Sequence, residues 1–292
     1  VITFIFDPMK NDFLAVTVSP KGAELISVRD LHTGFEYIWQ ADPTIWGRHA
    51  PVLFPIVGKV KHNQLLVQGT PYPMSQHGFA RDQAFTPVLE TDTTCRYTLE
   101  PTAQTLAVFP FLFNLELGYE LEENTLHCSY TIVNTGTSTL YFSIGAHPGF
   151  NLPVADLSQY EIRFPEAETS ERQLLTEGLF DGRQKPVLTS PHHIALSKTL
   201  FDDDAIVFED LHSRSLSLKH NNSPFEVKVD FEGFPYMGIW TQKSCEQYIC
   251  LEPWCGHADT TGGHDDISAK PGIEQLEPGA RFERGYSLTF TS

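Results

Sequence analysis

Nowhere in this chain do eighteen apolar residues follow one another, so no segment reads as a membrane-spanning helix. Cations are scarce. Twenty Lys and Arg face 37 Asp and Glu, leaving a formal net charge of −17. Nucleic acid is excluded by that balance, because phosphates need clustered Lys and Arg, and so is an anionic membrane surface. Cysteines are few and odd in number, five in 292 residues, which argues against a disulfide framework. Cys245, Cys250 and Cys255 recur every fifth residue, unlike the close pairs of zinc sites, so no metal is expected. There is no phosphate-binding glycine loop and no dinucleotide fingerprint, so no cofactor is expected either. The first residues, Val1 to Phe4, lack the basic start and long apolar run of a signal peptide. The expectation is a soluble cytoplasmic protein, kept apart by like charge.

What the sequence does contain is β pattern nearly throughout. Short runs rich in Val, Ile, Phe, Tyr and Thr alternate with turns of Gly, Asn, Asp and Pro. "FLAVTVSPKGAELISVRD" predicts two strands around a Pro-Lys-Gly turn. "FNLELGYELEENTLHCSYTIVNTG" predicts two more, broken at Glu122–Asn124. "FEVKVDFEGFPYMGIWTQ" predicts a pair around Glu232-Gly233, and "GARFERGYSLTFTS" a closing strand. The segment from Leu157 to Leu200 is more polar and reads as a loop-rich excursion with one short helix. No repeat and no linker is visible, so residues 1–292 are expected to form a single all-β domain, a large antiparallel β-sandwich.

Three stretches place ionisable side chains at the ends of apolar runs, each with Gly or Pro within two residues. They are "SQHGFARD" with His77 and Arg81, "SIGAHPGFN" with His147, and "ICLEPWCG" with Glu252. A backbone leaving its strand there presents a side chain to a cleft. No acid lies between Pro43 and Arg81, whereas Arg48, Lys59, Lys61 and Arg81 all do, a pattern suited to an anion. Trp39, Trp46, Trp240 and Trp254 lie near these stretches and suit either a core or the flat face of a sugar.

Together these motifs resemble the aldose 1-epimerase family, also called galactose mutarotase-like proteins. The resemblance rests on Leu53-Phe54-Pro55-Ile56-Val57-Gly58, His77-Gly78-Phe79-Ala80-Arg81, Gly145-Ala146-His147-Pro148-Gly149-Phe150 and Glu252-Pro253-Trp254-Cys255-Gly256, in that order. It implies a β-supersandwich, no cofactor, and interconversion of the α and β anomers of a free aldose. It implies Glu252 as base, His147 as acid and His77 as an assisting histidine. It also places a substrate-binding aspartate in "LFDDDAIVF", at Asp204 or its rival Asp203. Arg81, Lys59 and Trp254 complete the expected sugar contacts, with Lys61 an alternative to Lys59.

The residue types suit this chemistry on their own terms. Opening a pyranose takes one base for the anomeric hydroxyl and one acid for the ring oxygen. A histidine serves as the acid if a neighbouring carboxylate keeps its pKa near 7 or above. The partner expected is therefore a small sugar, an aldohexose with or without a phosphate. Two rival readings are a glycoside hydrolase using Asp204 with Glu252 and a non-catalytic sugar-binding or sensing protein of the same fold. The oligomeric state is not legible in the sequence.

Overall fold

The computed structural model describes residues 8–263 and 265–292, so the N-terminal stretch read for a signal peptide lies outside the described residues. Two large sheets dominate. One has nine strands, running from His193–Ala195 through Tyr160–Arg163, Ser215–His220, Glu226–Asp230, Arg281–Thr291, Thr125–Asn134, Phe113–Glu122 and Thr94–Leu99 to Thr86–Glu90. The other runs from Leu179–Lys185 through Arg172–Thr176, Ile206–Glu209, Tyr236–Trp240, Tyr248–Trp254 and Gly145–Ala146 to Val52–Leu53. Gly149–Asn151 also pairs with Tyr248–Trp254. Every ladder between these strands is antiparallel, as in Thr125–Asn134 against Phe113–Glu122 and Tyr236–Trp240 against Tyr248–Trp254. The only α-helix among the described residues is the single turn Ala103–Leu106, capped by Thr102 and Thr105. No helix is long and apolar enough to cross a membrane.

The alternation of apolar residues dictates the layering. In Thr125–Asn134, Leu126, Cys128, Tyr130 and Ile132 are buried while their neighbours are more open. That is a strand with one face on a core. The other sheet sends Ile206, Phe208, Ile239, Ile249 and Leu251 into the same core. Aromatic contacts tie the layers together, with Phe164 against Phe208 and Phe150 against Phe290.

The two strands expected around Glu232-Gly233 are present, and one local expectation is revised. Glu226–Asp230 and Tyr236–Trp240 are both strands, but they lie in different sheets, so the Glu232-Gly233 turn crosses from one layer to the other. The excursion between Leu157 and Leu200 is richer in strands than its composition suggests. It holds Tyr160–Arg163, Arg172–Thr176, Leu179–Lys185 and His193–Ala195, and a 3-10 turn at Leu157–Gln159 in place of a helix. The end of Leu179–Lys185 is fully exposed, and the register of its hairpin shifts between Gln173 and Leu175. A strand without a buried face and with a slipped register has no clean period of two.

The strand Tyr248–Trp254 is buried along its whole length. Ile249 and Leu251 face the core between the sheets, while Tyr248, Cys250, Glu252 and Trp254 face the other way. Room for the Trp254 indole comes from two flanking glycines. Gly145 and Tyr236 are its register partners. A Cβ on Gly238 would sit 2.6 Å from the indole, and one on Gly145 would sit 2.7 Å from it. Gly238→Ala is therefore expected to displace Trp254 and lower stability by about 1–3 kcal/mol, measurable by urea unfolding. A change smaller than the error of that titration would show that the indole has slack the packing does not reveal.

Candidate active site

Outside the inter-sheet core, the second sheet carries a cavity of about 300 Å³. The four sequence motifs meet there because they are neighbours in one backbone network. Leu53 pairs with Gly145, and Gly145 with Trp254. The Phe54 carbonyl accepts hydrogen bonds from Phe79 and Ala80, which hangs the His77–Arg81 turn on the first motif. His77 and Gly78 both take positive φ, 66° and 72°. Glycine adopts that backbone freely, and a side chain at Gly78 would run into the Phe54 carbonyl. His77 is anchored by exchange with Gly58: its N–H donates to the Gly58 carbonyl at 2.8 Å, and Gly58 N–H donates to His77 Nδ1 at 3.1 Å.

Register sets the central pair. Gly145 lies opposite Trp254 and Gly149 opposite Cys250, so the same offset holds on both sides of the gap at His147-Pro148. His147 therefore falls opposite Glu252. Pro148 has no N–H for the ladder, but its carbonyl still accepts from Leu251. His147 Nε2 lies 3.2 Å from Glu252 Oε2. On its other flank Glu252 pairs with Gly238, which has no side chain to cover it. Both ionisable groups are nearly closed off, with His147 8% and Glu252 1% exposed.

Aromatic rings fix the imidazole. Trp46 stacks on His147 at 4.9 Å, Trp240 meets it edge-on at 5.7 Å, and His77 lies perpendicular to it at 5.6 Å. Because His77 Nδ1 accepts from Gly58, its ring proton sits on Nε2. That atom is 3.2 Å from the Gln76 carboxamide nitrogen, and turning the carboxamide over brings its oxygen there to accept the ring proton.

Electrostatics here follow burial. Desolvation pushes His147 down to about 3, helped by the charges of Arg81 and Arg48. The same burial drives Glu252 well above the usual carboxylate range, with Trp254 acting in the opposite sense. His77 is held well below 6.5 by burial, then by His147, Arg81 and Arg48. The expectation that a carboxylate neighbour would keep His147 near 7 is thus corrected. Both partners are pressed towards their neutral forms, and the carboxyl keeps the proton the pair shares.

The cavity brings together Glu252, His147, His77, Asp204, Arg81 and Trp254, with Trp46, Trp240 and Arg48 beside them. Lys59 does not line it. Its ammonium donates to the Glu177 carbonyl at 3.0 Å, and that of Lys61 to the Thr261 carbonyl at 2.7 Å. Of the four cations in the acid-free stretch, only the two arginines reach the cavity. Between the two candidate aspartates, Asp204 lines the cavity, whereas Asp203 pairs with Lys185 at 2.6 Å on the surface. Sequence reasoning missed Gln76, Leu175 and Phe180, which complete the wall. It also missed Arg172, a buried guanidinium that donates to the carbonyls of Leu200, Asp203, Asp204 and Ala205. Leu175, Phe180 and Arg172 belong to the segment that read as irregular, where no period drew notice to them. Gln76 was within reach, since it precedes the motif histidine.

This geometry is that of an antiparallel two-sheet β-fold with a histidine–carboxylate pair at a cavity on one sheet, and comparison with known proteins specifies its class. A profile of the aldose 1-epimerase family matches residues 8–272, and the chain belongs to that family. The chromosomal LacX protein of Lactococcus lactis is 30% identical over 293 residues, covering 96% of this chain and 98% of its own. A solved galactose mutarotase related enzyme from Lactobacillus acidophilus is 36% identical, with a TM-score of 0.93 and coverage of 98% and 97%. A galactose mutarotase-like protein from Lactobacillus casei is 27% identical, with a TM-score of 0.92 and coverage of 97% and 99%.

The pKa displacement of His147 is directly testable. The groups facing the pair are His77, Arg48, Arg81, Asp204 and Cys250. A depressed imidazole stays neutral as pH falls through 6.5 and takes its proton only near its lowered value. NMR titration of ring ¹⁵N shifts is expected to find His147 neutral from pH 8 down to about 4. A midpoint near 6.5 would mean that solvent reaches the ring freely.

Proposed function

We propose that this protein is an aldose 1-epimerase, in which Glu252 and His147 open and close the pyranose ring and His77 assists. The observation that carries the reading is the placement of Glu252 and His147 side by side, 3.2 Å apart, at one open cavity. The volume, about 300 Å³, lies at the low end of small-molecule sites (about 300–1,000 Å³) and suits a monosaccharide.

In the resting pair the proton is on Glu252; when the closed ring binds, it passes to His147 and leaves Glu252 ionised. Glu252 removes the proton from the anomeric hydroxyl, His147 gives its proton to the ring oxygen, and the bond between C1 and that oxygen breaks. The pair is then neutral, which is the form burial favours. A carboxylate with a raised pKa is a stronger base, and an imidazolium with a lowered pKa a stronger acid. Rotation about C1–C2 turns the aldehyde over. Closure with the roles reversed gives the other anomer and restores both groups, with no covalent intermediate. Asp204, Arg81 and Arg48 hold sugar hydroxyls, and Trp254 walls the ring. Lys59 has no part in this arrangement, because its ammonium is engaged elsewhere. The five cysteines are free thiols, which supports a reducing, cytoplasmic location.

A hexose 6-phosphate is the second reading, favoured by Arg48 and Arg81 lining the same cavity. Hydrolysis is less well supported, since a pair of carboxylates leaves the His147 contact with no task. Polarimetry on freshly dissolved α-anomers of aldoses and hexose 6-phosphates tests the proposal. Glu252→Gln and His147→Asn are each expected to lower kcat by about 10²–10⁴. Wild-type protein that binds sugar yet leaves the spontaneous rate unchanged would make it a sugar-binding protein.

A further inference from the structure

The strand that supplies Glu252 aims a third reactive side chain the same way. Cys250 precedes Glu252 by two residues, so both project from one face. Its register partners are Gly149 and Trp240. One ring nitrogen of His147, the Cys250 sulfur and one carboxylate oxygen of Glu252 all lie within 4.8 Å of one another, and all three residues are buried. No other such trio of potential ligands occurs among the described residues. Glu252 Oε2 already faces His147 Nε2 at 3.2 Å, while the other ring nitrogen, His147 Nδ1, is buried without a hydrogen-bond partner. An unpartnered polar atom in a closed site calls for an occupant. The sugar chemistry accounts for the carboxylate and the imidazole but gives the thiol nothing to do.

We propose that His147, Cys250 and Glu252 form a binding site for a borderline-soft divalent cation such as Zn²⁺, which takes the place of the proton shared by the pair and blocks the sugar site. The donor set is one nitrogen, one sulfur and one oxygen, all ligands that Zn²⁺ accepts at about 2.0–2.3 Å. Tetrahedral coordination puts such ligands roughly 3.3–3.8 Å apart, so atoms now within 4.8 Å of one another close on the ion by a contraction of at most about 1.5 Å. His147 and Glu252 line the cavity while Cys250, fully buried, does not, so the fourth ligand is a water reaching the ion past the imidazole and the carboxylate. Hard cations that demand oxygen octahedra are excluded by the sulfur and the nitrogen. The thiol loses its proton to solvent on binding, and so does the neutral pair. Two protons leave per ion and nothing is oxidised or reduced. The linear spacing of the cysteines hides this site, because only one thiol takes part and its partners come from the facing strand and from two residues on.

Binding itself does not depend on the epimerase reading; only the inhibition does. Co²⁺ is the optical probe. Titration of the wild-type protein is expected to give one equivalent of bound Co²⁺ with a thiolate-to-metal charge-transfer band in the near ultraviolet, displaced by Zn²⁺. Cys250→Ala, or Cys250→Ser if the first variant folds poorly, is expected to abolish the band. Cys245→Ala, which alters the half-buried neighbouring thiol, is expected to retain it. In the polarimetric assay Zn²⁺ is expected to inhibit competitively with sugar, and Cys250→Ala to remain active while weakening that inhibition at least tenfold. A band without any sugar turnover would leave the metal site standing and remove the epimerase. Absence of the band in wild type, or equal Zn²⁺ inhibition of wild type and Cys250→Ala, would overturn the metal site and leave the epimerase untouched.

Discussion

A carboxylate in the middle of a buried strand is costly to keep unless another group shares its burden. In this protein the sharing follows from strand register. Gly145 and Gly149 pair with Tyr248–Trp254 on either side of a gap, and the gap puts His147 beside Glu252. A slip of one residue would turn Glu252 into the inter-sheet core, where Leu251 now packs. The glycines on both sides serve that register, since they admit the Trp254 indole and leave one flank of the carboxylate bare.

Much of this was legible beforehand, and the reasons are specific. Thr125–Asn134 and Arg281–Thr291 have one buried face, so their alternation is plain. Glu252, His147 and His77 stand at breaks in apolar runs, next to Gly or Pro, which drew notice to them, although Glu252 lies within its strand, which runs on to Trp254, and not at its end. The limits have equally specific causes. Leu175, Phe180 and Arg172 lie on strands with little apolar periodicity, so their place in or under the wall was invisible. Lys59 carried the right charge in the right neighbourhood, but its direction is set by a carbonyl in a loop more than a hundred residues away. Charge near a motif locates a region; only packing says which cations face inward.

The electrostatics teach the same point. An acid beside a histidine looks, on paper, like a device for keeping the imidazole protonated. Burial of both reverses that, and the two arginines nearby push the imidazole further in the same direction. Membership of the family supplies the fold. The enclosure decides on which atom the proton rests.

Arg172 lies under the cavity rim without a carboxylate in contact, held instead by main-chain oxygens from Leu200 to Ala205. A clamp that grips the chain rather than its side chains is indifferent to what those side chains are. Residues 202 to 204, all exposed aspartates, can therefore exchange one polar group for another while the loop keeps its path. The rim over the cavity is thus a replaceable fitting on a fixed frame, and its side chains can change without rebuilding the floor.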